Sequence, residues 1–414
     1  MQVEVINTGT EILLGQVVNT HVGYLGEHLL GLGLRIGRQS TVPDGEQIRD
    51  VLSGAIRRSK IILVTGGLGP TSDDLTREIT AELLGLELLE NAGVMAALEC
   101  RFRDSGIKMR SSNRRQAMVP EGAEVLGNDN GTAPGLYVTT GPVSSQVHIF
   151  LLPGPPRELY PMFQDQVVPR IKSMLDEVGE NVPACRNYFF MGLGESELAG
   201  RVDAALSGIN SDFEIGYCLK AGGVIVRCIC SEGELPLLDP VIRGVSAEDF
   251  VGEGTFSIEE EVVRCLEIKG ERVASAESCT GGLIANRITN VPGSSRVFDV
   301  GYITYSNHEK CRLLGVPDAM IDECGAVSDT VVKAMAEGCL DRAGSHHSLS
   351  VTGIAGPGGG SADKPVGSVW VGLTSRGIEP RAFHYRFQTD RLHFKDRVST
   401  VALDLLRRRL RGFL

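Results

Sequence analysis

In the first part of the chain, short runs of apolar residues alternate with segments in which apolar residues recur at helical spacing. Residues 3–9, 34–42 and 60–67 form short runs with β-branched and other apolar residues, which is typical of strands. Residues 17–33 and 46–59 instead repeat apolar positions at the spacing of an amphipathic helix. Strands that alternate with helices in this way predict βαβ units and a parallel sheet covered on both faces. Two later strands are predicted at 136–140 and 147–152.

The pattern changes between residues 183 and 253. A strand followed by a helix is predicted within 187–206, and residues 213–230 read as a hairpin that turns around Ala221-Gly222-Gly223. The acidic, glycine-containing segment 246–254 then leads into a predicted helix at 258–269. This stretch is predicted to be a small α+β module.

The remaining residues return to alternating strands and helices. The predicted strands are 271–278, 297–306, 347–353 and 367–375, and the predicted helices are 281–291, 308–316, 327–340 and 391–410. The expected fold class is α/β, with two α/β domains that have mainly parallel sheets and are joined by the small α+β module. The expected boundaries are 1–170, 171–253 and 254–414. No repeat with a period of 20–50 residues is present, which excludes a solenoid.

Composition narrows the class of protein. A length of 414 residues suits two or three domains, and 42% hydrophobic with 22% charged residues is ordinary for a globular protein. The net charge of -11 argues against a general nucleic-acid binder, which needs a basic surface. Neither a signal peptide nor a transmembrane run is visible, so a cytoplasmic protein without membrane partners is expected. The ten cysteines show no C-x-x-C pair and are expected to be reduced.

Three polar clusters follow predicted strands in the N-terminal domain. They are residues 8–11 (TGTE), 43–45 (PDG) and 66–74 (GGLGPTSDD). Ligands of open α/β sheets bind beyond the carboxyl ends of the strands, and glycines there let backbone N–H groups approach a phosphate. The residues predicted to bind the substrate in these clusters are Thr10, Gly66, Gly67, Gly69 and Thr71.

Carboxylates accompany those glycines. Glu11, Asp44 and Asp74 are predicted to converge at the same sheet edge, and carboxylates repel phosphate unless a hard cation lies between them. A divalent metal held by these three residues is therefore expected, with Asp44 and Asp74 in catalytic roles. Asp73 and Asp74 also lie where a helix start favours acids, and for one of them helix capping is, taken alone, the better explanation.

The motif AESCTGG, residues 276–282, lies between a predicted strand and a predicted helix. Free backbone N–H groups at such a point can form an anion pocket around Ser278. A serine nucleophile needs a base, and Lys310, just past another strand end, can reach the same edge of the sheet. Serine–lysine pairs are an established nucleophile–base arrangement. The alternative is that Ser278 caps the helix and Lys310 is solvated.

Other polar residues follow neighbouring strands of this domain. Residues 351–360 (VTGIAGPGGG) form a second glycine-rich turn, and Arg391 begins the last predicted helix with a guanidinium suited to phosphate. A small phosphorylated substrate bound between the two glycine turns would place a carbonyl near Ser278. The thiol of Cys279 is predicted to point away and to serve packing. The substrate-binding residues predicted here are Thr280, Gly281, Thr352, Gly353 and Arg391.

The N-terminal motifs resemble one known family. GTEILLGQVVNT, GGLGPTSDDLT, NRRQAMVPEGA, NGTAPG and LPGPPRE are similar to the N-terminal half of CinA-family competence-damage inducible proteins, which resembles molybdopterin-binding domains. The resemblance implies a metal-dependent ADP-ribose pyrophosphatase that uses Mg, Mn or Co, with functional residues at Asp44 and Asp74. A pterin- or nucleotide-binding regulatory module and a molybdopterin adenylyltransferase remain alternatives for this half.

The C-terminal motifs resemble the second half of the same family. AESCTGG, VPGSS, GYITYSNHEK, GAVS, TGIAGPGGG and KPVGSVW are similar to the PncC-type nicotinamide mononucleotide deamidase domain. The resemblance implies hydrolysis of the carboxamide without a cofactor, with Ser278 as nucleophile and Lys310 as its lysine partner. Tyr305, Thr352 and Arg391 match its substrate-binding positions. It also implies a homodimer and a KH-like middle module, which lacks basic loop flanks and is expected to be structural.

Overall fold

The computed structural model describes the chain apart from residues 143–144, 179–182, 221 and 255–256. Its contacts divide the chain into two compact units. The N-terminal unit contains Met1–Cys185 and Cys230–Glu232, and the C-terminal unit contains Arg186–Ile229 and Gly233–Leu414. The C-terminal unit thus includes nearly all of the small α+β module as well as the last α/β region.

The N-terminal unit is built on a six-stranded sheet in the order β2-β1-β3-β8-β7-β6. β1 pairs in parallel with β2 and β3, and β3 pairs in parallel with β8, whereas β7 runs antiparallel to β8 and β6. A separate antiparallel pair joins β4 and β5. The strands are β1 (Val3–Thr8), β2 (Ile36–Val42), β3 (Ile61–Thr65), β4 (Leu88–Glu90), β5 (Met118–Pro120), β6 (Glu124–Leu126), β7 (Gly135–Thr140) and β8 (Val147–Leu152).

Helices cover both faces of this sheet. The helices are α1 (Thr10–Leu13), α2 (His21–Leu30), α3 (Ile48–Arg58), α4 (Thr76–Leu84), α5 (Ala92–Asp104), α6 (Pro156–Met162) and α7 (Val168–Val178). On one face Leu52 of α3 packs in a core with Ile62 and Val64 of β3. On the other face, Leu25 of α2 packs in a second core with Leu63 of β3. Alternate residues of one strand point to opposite faces, which is why β3 is buried throughout.

The small module forms a four-stranded sheet in the order β10-β11-β9-β12, with two helices. Its elements are β9 (Ala184–Met191), α8 (Glu195–Leu206), β10 (Phe213–Lys220), β11 (Gly223–Cys230), α9 (Leu235–Gly244) and β12 (Phe250–Glu253). The predicted hairpin is β10 and β11, although Ala221, at the centre of its predicted turn, lies outside the described residues. The sequence did not predict β12, whose four residues include one fully buried side chain, Val251.

The last α/β region is built on a five-stranded sheet in the order β14-β13-β15-β16-β17. Its strands are β13 (Val273–Glu277), β14 (Phe298–Ile303), β15 (His347–Gly353), β16 (Ser368–Ser375) and β17 (Ile378–Arg386). Its helices are α10 (Ile258–Lys269), α11 (Leu283–Thr289), α12 (Asn307–Leu314), α13 (Asp318–Cys324), α14 (Asp329–Ala343) and α15 (Arg391–Leu410). The core includes Val351 of β15, Val371 of β16 and Phe394 of α15.

The α/β class is confirmed, and the sheets are more mixed than the prediction of mainly parallel strands. β13 pairs in parallel with β14 and β15, but β15, β16 and β17 pair antiparallel. Only Arg376 and Gly377 lie between β16 and β17. So short a connection can join only antiparallel strands, because two parallel strands need a long crossover segment between them.

In the parts of the chain that the structure describes, none of the helices combines the length and the apolar content that crossing a bilayer requires.

Candidate active sites

The turn after β13 is organised by a buried acid, Glu277. Its carboxylate accepts hydrogen bonds from the backbone N–H groups of Gly282 at 3.0 Å, Ile284 at 3.0 Å and Ala285 at 2.8 Å. These donors are the otherwise unpaired groups at the start of α11. Gly282 has a φ of 94°, a backbone conformation that residues with a Cβ rarely adopt. Glu277 therefore fixes the backbone that carries Ser278.

Ser278 and Lys310 are brought together by the ends of two strands. The N–H of Ser278 donates to the carbonyl of Val351 at the end of β15, and Lys310 lies in the first turn of α12, after β14. Nζ of Lys310 donates hydrogen bonds to Oγ of Ser278 at 3.1 Å and to the carbonyl of Thr304 at 3.0 Å. Lys310 is 2% exposed and Ser278 is 8% exposed. The alternative of a solvated lysine is therefore wrong.

The surroundings of Lys310 disfavour its charged form. Burial lowers the pKa of Lys310 below its ordinary value of 10.5. Across the described residues, Lys310 forms no ion pair with a carboxylate that would hold the proton in place. A buried lysine without a counter-ion meets the physical requirement for a general base, because its neutral amine has a lone pair to offer.

Cys279 has a different environment from its neighbour. Its side chain is 5% exposed and belongs to the hydrophobic core of the C-terminal unit. Burial raises the pKa of the thiol to about 12. A thiol with such a pKa is neutral near pH 7 and is a poor nucleophile.

The expected anion pocket at Thr280–Gly282 needs a correction. The N–H of Gly281 donates to the carbonyl of Ser278 at 3.1 Å, and the N–H of Gly282 is taken by Glu277. The sequence could not show that both N–H groups already have acceptors within the chain, one of them the Glu277 carboxylate. Within the described chain, the N–H groups of Cys279 and Thr280 donate to no backbone carbonyl and lie instead against the thiol of Cys279.

Arg391 connects two of the loops at this sheet edge. Its guanidinium donates hydrogen bonds to the hydroxyl of Tyr305 at 2.8 Å and to the carbonyl of Gly356 at 2.9 Å. The hydroxyl of Thr352 donates to the carbonyl of Ala326 at 2.8 Å. The structure therefore brings Arg391 and Tyr305 together, whereas the donor of Thr352 is already used within the chain.

Gly353 is required by close packing. A Cβ at this position would lie 2.8 Å from Cβ of Val369 and 2.9 Å from the carbonyl oxygen of Ser368. The contact partners belong to β16, which pairs with β15. Gly353 thus allows the two strands to approach at the point where the glycine-rich turn begins.

The three polar clusters of the N-terminal unit surround one cavity of about 350 Å³. Its lining includes the predicted residues Glu11, Asp44, Gly66, Gly67, Gly69, Thr71, Asp73 and Asp74. Thr10 lies beside this group, because its backbone N–H donates to Oδ2 of Asp44 at 2.9 Å. The carboxyl ends of β1, β2 and β3 therefore meet as the sequence pattern predicted.

Asp44 and Asp74 each organise a loop around the cavity. Oδ2 of Asp44 also accepts from the hydroxyl of Thr10 at 3.3 Å. Oδ2 of Asp74 accepts from the backbone N–H of Thr71 at 2.9 Å and from the hydroxyl of Thr71. A Cβ on Gly69 would overlap the Asp74 carboxylate, so the absence of a side chain there allows this closed turn.

The carboxylates that line this cavity do not form a metal site made only of protein ligands. Among the residues that the structure describes, no three His, Cys, Asp or Glu side chains are grouped closely enough to hold a metal ion. Glu11, Asp44 and Asp74 line one cavity without forming such a set. A cation bound here would therefore need ligands from a substrate or from water.

Comparisons with known proteins match both the N-terminal and the C-terminal part of the chain. Residues 4–173 match the model of a probable molybdopterin binding domain, and residues 255–410 match that of the CinA C-terminal domain. The chain is 44% identical over 404 residues to a CinA-like protein from Akkermansia muciniphila, covering 97% of this chain and 96% of that protein. The chain belongs to the CinA family.

Two further relatives carry similar names. A putative competence-damage inducible protein from Caldicellulosiruptor saccharolyticus is 41% identical over 416 residues and covers 99% of each chain. The crystal structure of the competence/damage inducible protein CihA from Agrobacterium tumefaciens is 39% identical, with a TM-score of 0.35. That match covers 36% of this chain and 94% of the other chain.

Some site residues of this CinA-family protein escaped the sequence analysis. No role was predicted for Glu277, although an acid just before a glycine pair and a helix start is a signal for N-terminal capping. Lys395, which lies one helical turn after Arg391 on α15, was not predicted either. Nζ of Lys395 is 3.6 Å from where a Cβ on Gly281 would lie, so a second cation stands near this turn.

Proposed function

We propose that the C-terminal α/β region hydrolyses the carboxamide of nicotinamide mononucleotide to nicotinic acid mononucleotide and ammonia. The observation that carries this proposal is the distance of 3.1 Å between Nζ of Lys310 and Oγ of Ser278. Burial of Lys310, with no carboxylate partner among the described residues, supports its role as base, and the family motifs around both residues support the amide substrate. The reaction needs no cofactor.

In the proposed mechanism, Lys310 acts first as a neutral amine. One N–H keeps its bond to the carbonyl of Thr304, and the lone pair takes the proton of Ser278 as Oγ attacks the carboxamide carbon. An oxyanion formed at Ser278 would draw the N–H groups of Cys279 and Thr280 away from the neutral Cys279 thiol, because an anion is the stronger acceptor. Lys310 then gives its proton to the leaving nitrogen, and ammonia departs. Water hydrolyses the acyl-enzyme, with Lys310 as base again.

The phosphate of the mononucleotide would bind at the edge where Arg391 lies. The guanidinium is held by Tyr305 and by the carbonyl of Gly356, so its orientation is set before the substrate arrives. Lys395 adds a second positive charge one helical turn away. A fixed guanidinium is well suited to a phosphate group, because it offers parallel N–H donors.

The test of the deamidase proposal is ammonia release from nicotinamide mononucleotide by Ser278→Ala. The rate should fall by ~10³ or more, since the nucleophile is removed. Ser207→Ala is a matched control, because Ser207 is exposed at the end of α8 and its hydroxyl bonds only to the carbonyl of Ala204. Near wild-type activity of Ser278→Ala would contradict the proposal.

We also propose that the N-terminal unit hydrolyses the diphosphate of ADP-ribose to AMP and ribose 5-phosphate. The support is one cavity that is lined by the glycine turn Gly66–Gly69 and by the carboxylates of Asp44 and Asp74. Positive φ values of 94° at Gly66 and 68° at Gly67 turn successive backbone groups in this loop. Such turns form concavities that bind phosphate oxygens.

The residues present fit a cation that is bound largely by the substrate. Asp44 and Asp74 both line the cavity, and each uses Oδ2 for the hydrogen bonds of its own loop, which leaves Oδ1 as a further acceptor. Mg²⁺ is typically held by one or two carboxylates together with phosphate oxygens and water. A divalent ion such as Mg, Mn or Co would neutralise charge on the diphosphate.

Separate assays of the two activities test this second proposal. Asp74→Ala and Asp44→Asn should each abolish AMP release from ADP-ribose and leave ammonia release from nicotinamide mononucleotide unchanged. Asp50→Asn, at an exposed acid on α3, is the control. Turnover of ATP with molybdopterin instead of ADP-ribose would favour an adenylyltransferase. Binding without turnover of either would favour a regulatory module.

A further inference from the structure

Glu158 is a nearly buried acid on the N-terminal cavity that the proposed reaction does not use. It lies at the third position of α6, directly after the turn that follows β8, and it is 8% exposed. An acid at that position commonly bonds back to its own helix start. Here Oε2 instead accepts a hydrogen bond from the side-chain amide of Asn128 at 2.8 Å. The carboxylate is thus tied to the loop of Asn128, in the wall of the cavity.

Asn128 holds Glu158 in one orientation. Its amide nitrogen also donates to the carbonyl of Ala133 at 2.7 Å, and its amide oxygen accepts from the N–H of Asn130 at 3.1 Å. Both donors of the amide are therefore used. Gly131 packs directly against the carboxylate, and a Cβ at this position would overlap Oε2 of Glu158. The loop and the acid form a preorganised unit.

The carboxylate retains acceptor capacity that the chain does not fill. An ionised carboxylate can accept about four hydrogen bonds, whereas Glu158 receives one within the described residues. Nε of Arg157 is 3.9 Å from Oε1, and the Arg157 side chain is 79% exposed. Burial of such a group is costly unless donors arrive from elsewhere. A ligand that presents N–H or O–H groups would supply them.

A second polar group on this cavity lacks a partner. Thr8 is 7% exposed and lines the cavity, and its hydroxyl is buried without a hydrogen-bond partner in the part of the chain that is described. These two observations point to a ligand rich in hydroxyl groups beside the phosphate-binding glycines.

We propose that Glu158 accepts hydrogen bonds from the vicinal hydroxyls of a ribose and so selects nucleotides with an unmodified ribose. This inference rests on the proposal that a nucleotide binds in the N-terminal cavity. Because a carboxylate only accepts hydrogen bonds, it pairs with a free hydroxyl and repels a phosphate at the same position. The site therefore discriminates against nucleotides that carry a 2′-phosphate.

The test compares the binding of AMP, 2′-deoxy-AMP, 3′-deoxy-AMP and adenosine 2′,5′-bisphosphate to the full chain by calorimetry. Wild type should bind AMP more tightly than at least one deoxy analogue by about 10- to 100-fold, the range for a hydrogen bond to a charged group. Glu158→Gln should lose most of this preference and should bind the bisphosphate relatively better. Gly131→Ala should act in the same direction, since it displaces the carboxylate.

Glu121→Gln is the matched control, because Glu121 is an exposed acid in the same unit and does not line the cavity. Its selectivity should equal that of wild type, and melting temperatures should show that all variants are folded. Equal binding of AMP and both deoxy analogues by wild type would overturn the inference, as would unchanged selectivity in Glu158→Gln or no nucleotide binding at all. Retained selectivity without ADP-ribose turnover would overturn only the proposed hydrolysis.

Discussion

The guanidinium of Arg391 donates a hydrogen bond of 2.8 Å to the hydroxyl of Tyr305, although 86 residues separate them in the chain. Arg391 begins the last helix and Tyr305 follows β14, so the contact joins two loops at one end of the sheet. Tyr305 is 61% exposed, which leaves most of its ring open to a ligand. The pair therefore orients a positive charge at an accessible position.

Replacement of Arg391 by Lys tests whether this orientation serves substrate binding. An ammonium group lacks the planar fork of donors, so KM for nicotinamide mononucleotide should rise by roughly tenfold while kcat changes less. Steady-state kinetics measure both constants. Arg342→Lys, at an exposed position of α14, should leave them unchanged. A fall in kcat with an unchanged KM would mean that Arg391 acts on the reacting group instead.

Replacement of Lys310 by Arg tests the role of this residue as a base. Arginine keeps the positive charge and donor groups but does not lose its proton in proteins, so deamidation should fall by ~10³ or more at every pH. Lys269→Arg, at an exposed position of α10, is the control. Substantial activity in Lys310→Arg would show that a positive charge at this position is sufficient.

The pH dependence of wild-type activity follows from the same residue. Burial lowers the pKa of Lys310 from 10.5. The neutral amine is the active form, so kcat/KM should rise with pH through the lowered pKa and level off below the pH expected of an exposed lysine. A rise that continues to about pH 10.5 would contradict the assignment, since an unperturbed lysine titrates near that value.

Stability should depend on pH through Lys310 as well. Between its lowered folded pKa and 10.5, the unfolded chain carries the proton and the native chain does not. The free energy of unfolding therefore rises with pH across this window. Lys310→Met lacks this contribution, so wild type should gain melting temperature relative to the variant as pH increases. A constant difference between the two would contradict the lowered pKa.

Replacement of Glu277 by Gln should weaken the turn that carries Ser278. The neutral glutamine side chain has only one acceptor oxygen, so it cannot replace the buried carboxylate that accepts three backbone N–H bonds. The free energy of unfolding should therefore fall by about 1–3 kcal/mol. Deamidation should fall by roughly tenfold or more as Ser278 shifts. Glu260→Gln, which removes an exposed capping acid from α10, should cost less than about 1 kcal/mol. Equal losses in the two variants would contradict a special role for Glu277.

Thiol chemistry should be irrelevant to catalysis. Because burial raises the pKa of Cys279 to about 12, iodoacetamide near pH 7 should label exposed Cys100 and Cys218 before it labels Cys279. Peptide mass spectrometry identifies the labelled positions. Cys279→Ala should retain deamidase activity within a few-fold of wild type. Inactivation that parallels modification of Cys279 would revive the thiol as a candidate nucleophile.

The fold was predictable where elements have a strong local pattern. β1, β3 and β13 are buried at every position and carry mostly apolar or small residues, and the amphipathic helices of the same regions show clear periodicity. β17 was missed because it is an edge strand without a fully buried residue, so its apolar alternation is weak. β12 was missed because four residues are too few to show a period.

The candidate sites show the same division. Strand ends followed by glycine and acid clusters identified Asp44, Asp74 and Ser278, because the topology of parallel strands brings those ends to one edge. The roles of Glu277 and Glu158 were not visible, since their partners are backbone N–H groups in one case and Asn128 in the other. Neighbours in a sequence do not reveal which donor a buried acid takes.

The amino-acid order by itself determined the α/β alternation, the positions of the glycine-rich turns and the presence of a serine and a lysine at strand ends. Only the tertiary structure decided that Lys310 is buried against Ser278 and pairs with no carboxylate in the described part of the chain, and that Glu277 rather than a substrate occupies the N–H of Gly282. Burial and the choice of hydrogen-bond partner depend on segments that are distant in the chain, and these two quantities set the reactivity of the groups.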